Sequence, residues 1–428
     1  MTGAGSAIRL VVRRLRSDAA NRLAWSMGAA IVARLGLLLL AVAIGRRFGP
    51  SDYGAFTFAT GVAVFVAQFS VLGFPMLMNR LIPEMLRDRD WDALRGLRDA
   101  GDAVVIGVSL VTAALLLGAA ALTSQYGVSF VLSALLVVPF ASASLRRQQL
   151  AALRRPAIGL FFDQGFGALL AGAFLFAFGA RSIILAVVIF AGGLIVGNLF
   201  TFVQVRRLLP PEVSTATRKV HLRQWLGMSL PMLAGTSAKL LMNRVDILML
   251  APLAGLYQSG LYGAAFRITF LLTFPQVVLM SVVTPMISEA FAHGQHARVT
   301  RLVRGSLLFA VLTAVPSGLV LVAFPEFVVT RVFGASFAPA ALSLALLAIG
   351  QTAASLSIPL QSSLIMSGRE RHFGILNMAA LGLHVVLNYL LIPPYGANGA
   401  SASTAVVLIA IATGQVVLNW SYASGKAT

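Results

Sequence analysis

The chain has 428 residues, of which 58% are hydrophobic and only 11% charged, and its mean hydropathy is +0.87. Soluble domains average about 45–50% apolar and roughly 25% charged residues, so the composition excludes a water-soluble globular protein and points to an all-α polytopic membrane protein. The absence of cysteine excludes disulfides and thiolate chemistry, and the formal charge of +19 raises the question of nucleic acid until its distribution is read.

Residues 1–23, with 9-RLVVRRLRSDAANR-22, read as a cytoplasmic tail. The apolar run that follows is too long for a signal peptide and further spans succeed it. The alternation of Leu, Ile and Val with Arg equally fits a helix lying on anionic lipid. Twelve hydrophobic helices follow, near 24–45, 54–79, 102–122, 127–145, 157–178, 182–205, 225–251, 260–287, 305–324, 338–364, 373–393 and 398–420, each long enough to cross about 30 Å of hydrocarbon. The longest loop, 206–224, contains 209-LPPE-212 and divides a lobe at 24–205 from a lobe at 225–420, with a tail at 421–428. Most of the basic residues fall in segments such as 145-LRRQQLAALRR-155 and 205-VRRLLPPEVSTATRKVHLR-223, whereas the outer loops hold Arg46, Arg47, Arg181 and Arg331. The positive-inside rule then places both termini in the cytoplasm. The net charge is topology and does not indicate a nucleic-acid partner.

The two lobes read as repeats. Tyr53-Gly54-Ala55 in 49-GPSDYGAFTFA-59 matches Tyr262-Gly263-Ala264 in 257-YQSGLYGAAFRI-268, and Pro75-Met76 matches Pro285-Met286 at nearly the same offset. An even number of spans in each lobe makes these parallel repeats about an axis along the membrane normal.

Enzymatic chemistry finds little to work with. The lysines, Lys219, Lys239 and Lys426, lie in no phosphate-binding loop, and the outer acids are Asp52 and Glu326 alone. His293 and His296, near Glu289, read as solvated loop histidines rather than metal ligands. An enzyme is therefore disfavoured.

What stands out is a set of cations inside the spans: Arg34, in 30-AIVARLGLLLLAVAIG-45, with Lys239, Arg244 and Arg267. Each costs roughly 2.5–3.5 kcal/mol at a helix centre on insertion scales, so each should face a protein interior or a watery cavity. The repeat sets Arg34 opposite Asn243, beside Arg244, and Lys239, Asn243 and Asp246 share one helical face. Arg34, Lys239, Asn243, Arg244 and Arg267 are the candidate substrate ligands of a central cationic cavity. Asp246 and Asp163 are candidates for proton or sodium coupling or for structural pairing. Asp246 and Arg267 are expected at similar depth in a hairpin and thus as an ion pair, and Asp163 as a partner of the nearby arginines. Gln68, Gln276, Gln351, Asn377, His384 and Asn388 read as interhelical hydrogen-bonding groups.

The segments 45-GRRFGPSDYGAFTFA-59, 243-NRVDILMLAPLAGLYQSGLYGAAFRI-268, 333-FGASFAPAALSLALL-347, 367-SGRERHFGILN-377 and 387-LNYLLIPPYGANGASAST-404 resemble the oligosaccharide and lipopolysaccharide flippases. These form the polysaccharide transport branch of the multidrug/oligosaccharidyl-lipid/polysaccharide exporter superfamily. The resemblance implies a V-shaped pair of six-helix lobes and alternating access. It also implies translocation of an undecaprenyl-diphosphate-linked oligosaccharide, for O-antigen or exopolysaccharide export, across a bacterial inner membrane. It implies no cofactor beyond a coupling proton or sodium ion. The partners it implies are the lipid-linked oligosaccharide, membrane lipids, a glycan polymerase and other assembly proteins. The alternatives are a cation-coupled drug exporter of the same superfamily, which would want carboxylates in its cavity, and a membrane scaffold for glycan assembly. Phe58 stands where Arg267 stands in the second repeat, so the cavity is expected to carry more charge on that side.

Overall fold

The computed structural model describes residues 3–179, 182–242, 244–366 and 369–423, with side chains described from residue 25 onward except at 26, 164, 234–240, 366, 370 and 420–423. Every element among them is helical. In chain order these are α1 (Gly3–Ser70), α2 (Phe74–Asp88), α3 (Trp91–Leu122), α4 (Gly127–Ala152), α5 (Pro156–Leu160), a π-turn at Phe161–Gly165, α6 (Phe166–Phe178), α7 (Ile183–Leu208) and α8 (Glu212–Thr215). They continue with α9 (Leu222–Met242), α10 (Val245–Thr269), α11 (Phe274–Ala292), α12 (His296–Ala323), α13 (Pro325–Phe333), α14 (Ala341–Met366) and α15 (Glu370–Ala423). Local chemistry sets several boundaries. Asp90 caps α3 by accepting the Ala93 amide at 3.0 Å, and Pro75, Pro156 and Pro325 occupy first-turn positions of α2, α5 and α13.

Among the described residues nine elements are long and apolar enough to cross a membrane. Three of them break at glycines with positive φ, Gly49, Gly255 and Gly396. These fall at the predicted turns between spans. In a straight helix Asp246 and Tyr262 would stand about 24 Å apart, yet the Tyr262 hydroxyl donates to Asp246 at 2.8 Å across the Gly255 break. The Ser403 hydroxyl likewise bonds the His384 carbonyl across the Gly396 break. Both elements fold back on themselves at these breaks.

The chain forms two compact units, the first from Met1–Ala43 and Val62–Ser237, the second from Ile44–Gly61 and Ala238–Thr428. In the first, α4 packs against α2, α3 and α7, and α6 against α7, around Phe74, Leu77, Met78, Leu97, Leu136 and Phe190. Its loop after α8 is strapped to α3. Arg95 Nη1 donates to the carbonyls of Ser214 and Ala216 at 2.7 Å each, Asp92 accepts the Thr217 amide at 2.8 Å, and Lys219 Nζ lies 2.9 Å from Asp92. That carboxylate holds the Lys219 ammonium above its ordinary range.

In the second unit, α14 and α15 pack together and against α10, with α12 on α14. Tyr53, from the 44–61 segment, is buried beside Phe333 and Phe337, at centroid distances of 5.4 and 5.9 Å. Apolar side chains such as Leu115, Leu312 and Leu319 stay exposed, as lipid-facing positions require.

Candidate functional site

Arg34 lies on α1 in the first unit and is half-buried. Its surroundings are set by close helix contacts: a methyl added to Gly165 would lie 2.4 Å from Ala33, and one added to Gly36 would lie 2.7 Å from Leu169. Only glycine permits α1 to sit that tightly on the π-turn and α6. The contact sets α1 at Ala33 against the π-turn that carries Asp163, two residues before Gly165. Asp163 accepts a hydrogen bond from Arg147 Nη1 at 2.7 Å.

In the second unit, Arg244 begins α10 and Arg267 occupies its last turn. Both are half-buried, and their guanidinium groups lie within electrostatic reach of each other. Lys239 lies on α9 with its side chain outside the described residues, and Asn243 lies outside them altogether. Asp246 is 4% exposed. It is held by His384 Nε2 at 2.6 Å and Asn388 Nδ2 at 2.8 Å on one oxygen and by the Tyr262 hydroxyl at 2.8 Å on the other. The Tyr262 hydroxyl also lies 3.2 Å from that of Thr404.

The expected Asp246–Arg267 ion pair is thus replaced. Tyr262 is the residue that faces Asp246 across the hairpin, and Arg267 lies five residues beyond it, about 7.5 Å farther along the helix. His384, expected as an interhelical hydrogen-bonding group, lies against a carboxylate on another helix. Neither of its ring nitrogens meets hydrogen-bond geometry among the described residues, so the Nε2 approach to Asp246 is a close polar contact. Sequence reasoning did not join these residues, although two signals were available. His384 and Asn388 are four apart on one helical face, and an acid within a span demands a partner.

A second buried network also went unforeseen. Arg146, 6% exposed, bridges Asp102 at 2.8 Å and Gln149 at 2.7 Å, and Gln149 reaches the Met78 sulfur at 3.0 Å. The Phe202 ring is approached by the Arg146 guanidinium at 4.7 Å and by that of Arg206 at 4.3 Å. In the sequence, Arg146 is masked by the cytoplasmic arginine run to which it belongs.

A family model described as polysaccharide biosynthesis protein matches residues 20–291, and one described as MatE matches residues 231–390. The chain belongs to the polysaccharide biosynthesis protein family. No curated protein sequence matches it. Among solved structures it resembles the lipid II flippase MurJ in an inward closed conformation, at 12% identity and a TM-score of 0.71 over 92% of this chain and 86% of that one. It also resembles an inward-facing multidrug resistance MATE family transporter of the MOP superfamily, at 12% identity and a TM-score of 0.73 over 94% and 98%. A third is a MOP superfamily transporter from Pyrococcus furiosus described as having a binding pocket of reverse polarity, at 14% identity and a TM-score of 0.57 over 94% and 97%. At such identities the structural likeness is one of fold. The fold is the twelve-helix, two-lobe fold of this superfamily, and the families that match it are transporters rather than enzymes.

Proposed function

We propose that this family member is a flippase for an undecaprenyl-diphosphate-linked oligosaccharide in a bacterial inner membrane, with both termini in the cytoplasm. The repeats at 24–205 and 225–420 would work by alternating access. The observation that carries this reading is the engagement of the two acids singled out within the spans. Asp163 is bonded to Arg147, and Asp246 to His384, Asn388 and Tyr262. Among the described residues neither is bonded to Arg244 or Arg267, so the positive charge of those spans is left to meet an anionic cargo. A lipid diphosphate needs such charge to enter a low-dielectric path, and arginine offers it a planar, bidentate set of donors. The buried Asp246 cluster is the coupling element of this reading, a carboxylate contacted within the span by His384, Asn388 and Tyr262. A glycan polymerase downstream would consume the delivered lipid-linked unit.

The MatE match over residues 231–390 supports a second reading, a cation-coupled exporter of small molecules. Proteoliposomes separate the two. The flippase reading expects the reconstituted protein to carry a fluorescent lipid-linked oligosaccharide between leaflets and to move no ethidium. Ethidium export with no lipid movement would overturn it.

A further inference from the structure

The Arg147–Asp163 pair has a setting that a purely structural ion pair does not require. The Arg147 side chain is 39% exposed and that of Asp163 12%, and Arg147 engages the carboxylate through Nη1 alone among the described residues. Asp163 sits in the π-turn, a wide turn that is rare in helices and concentrates at functional sites. Glycines hold this turn against three neighbours. A methyl on Gly159 would lie 3.0 Å from the Arg147 Cα, one on Gly197 would lie 3.0 Å from the Phe162 carbonyl, and one on Gly165 would lie 2.4 Å from Ala33, the neighbour of Arg34. With α5 entering from the cytoplasmic side, the rise per residue sets the level of Gly159 and Arg147 about 5 Å into the span and that of Gly165 and Arg34 about 13 Å in. Arg147, Asp163 and Arg34 therefore follow one another inward from the cytoplasm within one unit.

We propose that Arg147 is a first binding residue for the diphosphate head group, and that Asp163 is the carboxylate this group displaces on its way to Arg34. The proposal rests on the head-group reading of Arg34. A diphosphate carries more charge than one carboxylate and offers oxygens at the spacing of a guanidinium fork, so it competes well for Arg147. A partly exposed pair contributes little net stability, so its exchange is easy. Because the carboxylate returns to Arg147 when the anion moves on, Arg147 does not become a trap. No bond to phosphorus is made or broken.

The test is titration of the full chain, in nanodiscs of zwitterionic lipid, with inorganic pyrophosphate. Removing the competing carboxylate in Asp163→Asn is expected to tighten binding about fivefold, and Arg147→Gln to weaken it about fivefold, in keeping with a partly exposed pair. Arg147→Lys should weaken binding by less than Arg147→Gln does, because the charge is kept and the planar fork is lost. The Arg147 series decides the matter even where Asp163→Asn does not insert. Unchanged affinity in both Asp163→Asn and Arg147→Gln, with binding still weakened by Arg34→Ala, overturns this proposal and leaves the head-group reading standing. Absence of pyrophosphate binding in the parent chain, or its insensitivity to Arg34→Ala, overturns the head-group reading and this proposal with it.

Discussion

Gly54 and Gly260 meet backbone to backbone inside the second unit. A methyl on Gly54 would lie 1.8 Å from the Leu256 carbonyl oxygen, and one on Gly260 would lie 1.9 Å from that of Pro50. The contact joins the segment at 44–61 to α10, and the Tyr53, Phe333 and Phe337 rings pack in the same unit. Backbone cannot yield as a flexible side chain does. Gly54→Val and Gly260→Val are therefore each expected to cost upwards of about 1–3 kcal/mol, the range of an overpacked core. The measure is the melting temperature of detergent-purified protein, compared with Gly107→Val, where an added methyl meets nothing within 4 Å.

The Asp246 cluster predicts a particular pattern of rescue. Asp246→Asn replaces a carboxylate oxygen that accepts from Tyr262 or Asn388 by an amide donor and should reduce membrane-inserted protein, since a buried polar group left unsatisfied costs roughly 1–3 kcal/mol. Adding His384→Gln should restore much of the loss, because a neutral amide can face a neutral amide. Adding Arg267→Gln should restore nothing, since Arg267 is not among the partners of Asp246. Quantitative immunoblots of membranes read all three.

The Arg146–Asp102 pair should behave as a buried structural pin. Asp102→Asn alone leaves Arg146 with reduced compensation and should lower abundance, by roughly 3–5 kcal/mol of stability. A well-packed apolar replacement of both, Asp102→Leu with Arg146→Met, should recover it. Arg206→Ala, which removes only the exposed partner of Phe202, should have a small effect on thermal stability.

The strap on α3 yields a local prediction. A methyl on Gly96 would lie 1.7 Å from the Lys219 carbonyl oxygen, so Gly96→Ala should release the segment around residues 214–219. Limited proteolysis of inside-out vesicles should then cut near Arg218 faster than in the parent chain. Lys219→Ala should do much less, because its ion pair with Asp92 is exposed while the hydrogen bonds of Arg95 remain.

The helices were legible because the membrane imposes them. Backbone groups without water must bond within a helix, so long apolar runs leave little choice, and the turns at Gly49, Gly255 and Gly396 carried glycine where positive φ demands it. The paired glycine contacts were not legible, since nothing in 49-GPSDYGAFTFA-59 says which strip of α10 will approach it. Asp246 shows the same limit for the site. Its need for a partner was readable from one residue in a span, but the choice of His384 and Asn388 over Arg267 depends on the register of α10 against α15. Arg34 and Asp163 were each singled out from local sequence, whereas the approach of α1 to the π-turn arises from Gly165 lying against Ala33. Pattern gives the elements and the costly residues. Register between helices, which the pattern of one helix does not contain, gives their partners.

The head-group role of Arg34 is the central claim, and surface polysaccharide in a complemented deletion strain, normalised to membrane-inserted protein, tests it most directly. Arg34→Ala is expected to abolish surface glycan at parental levels of inserted protein, and Arg34→Lys to retain part of it, because the ammonium keeps the charge and loses the planar fork. Near-normal glycan from Arg34→Ala at equal abundance would contradict the account.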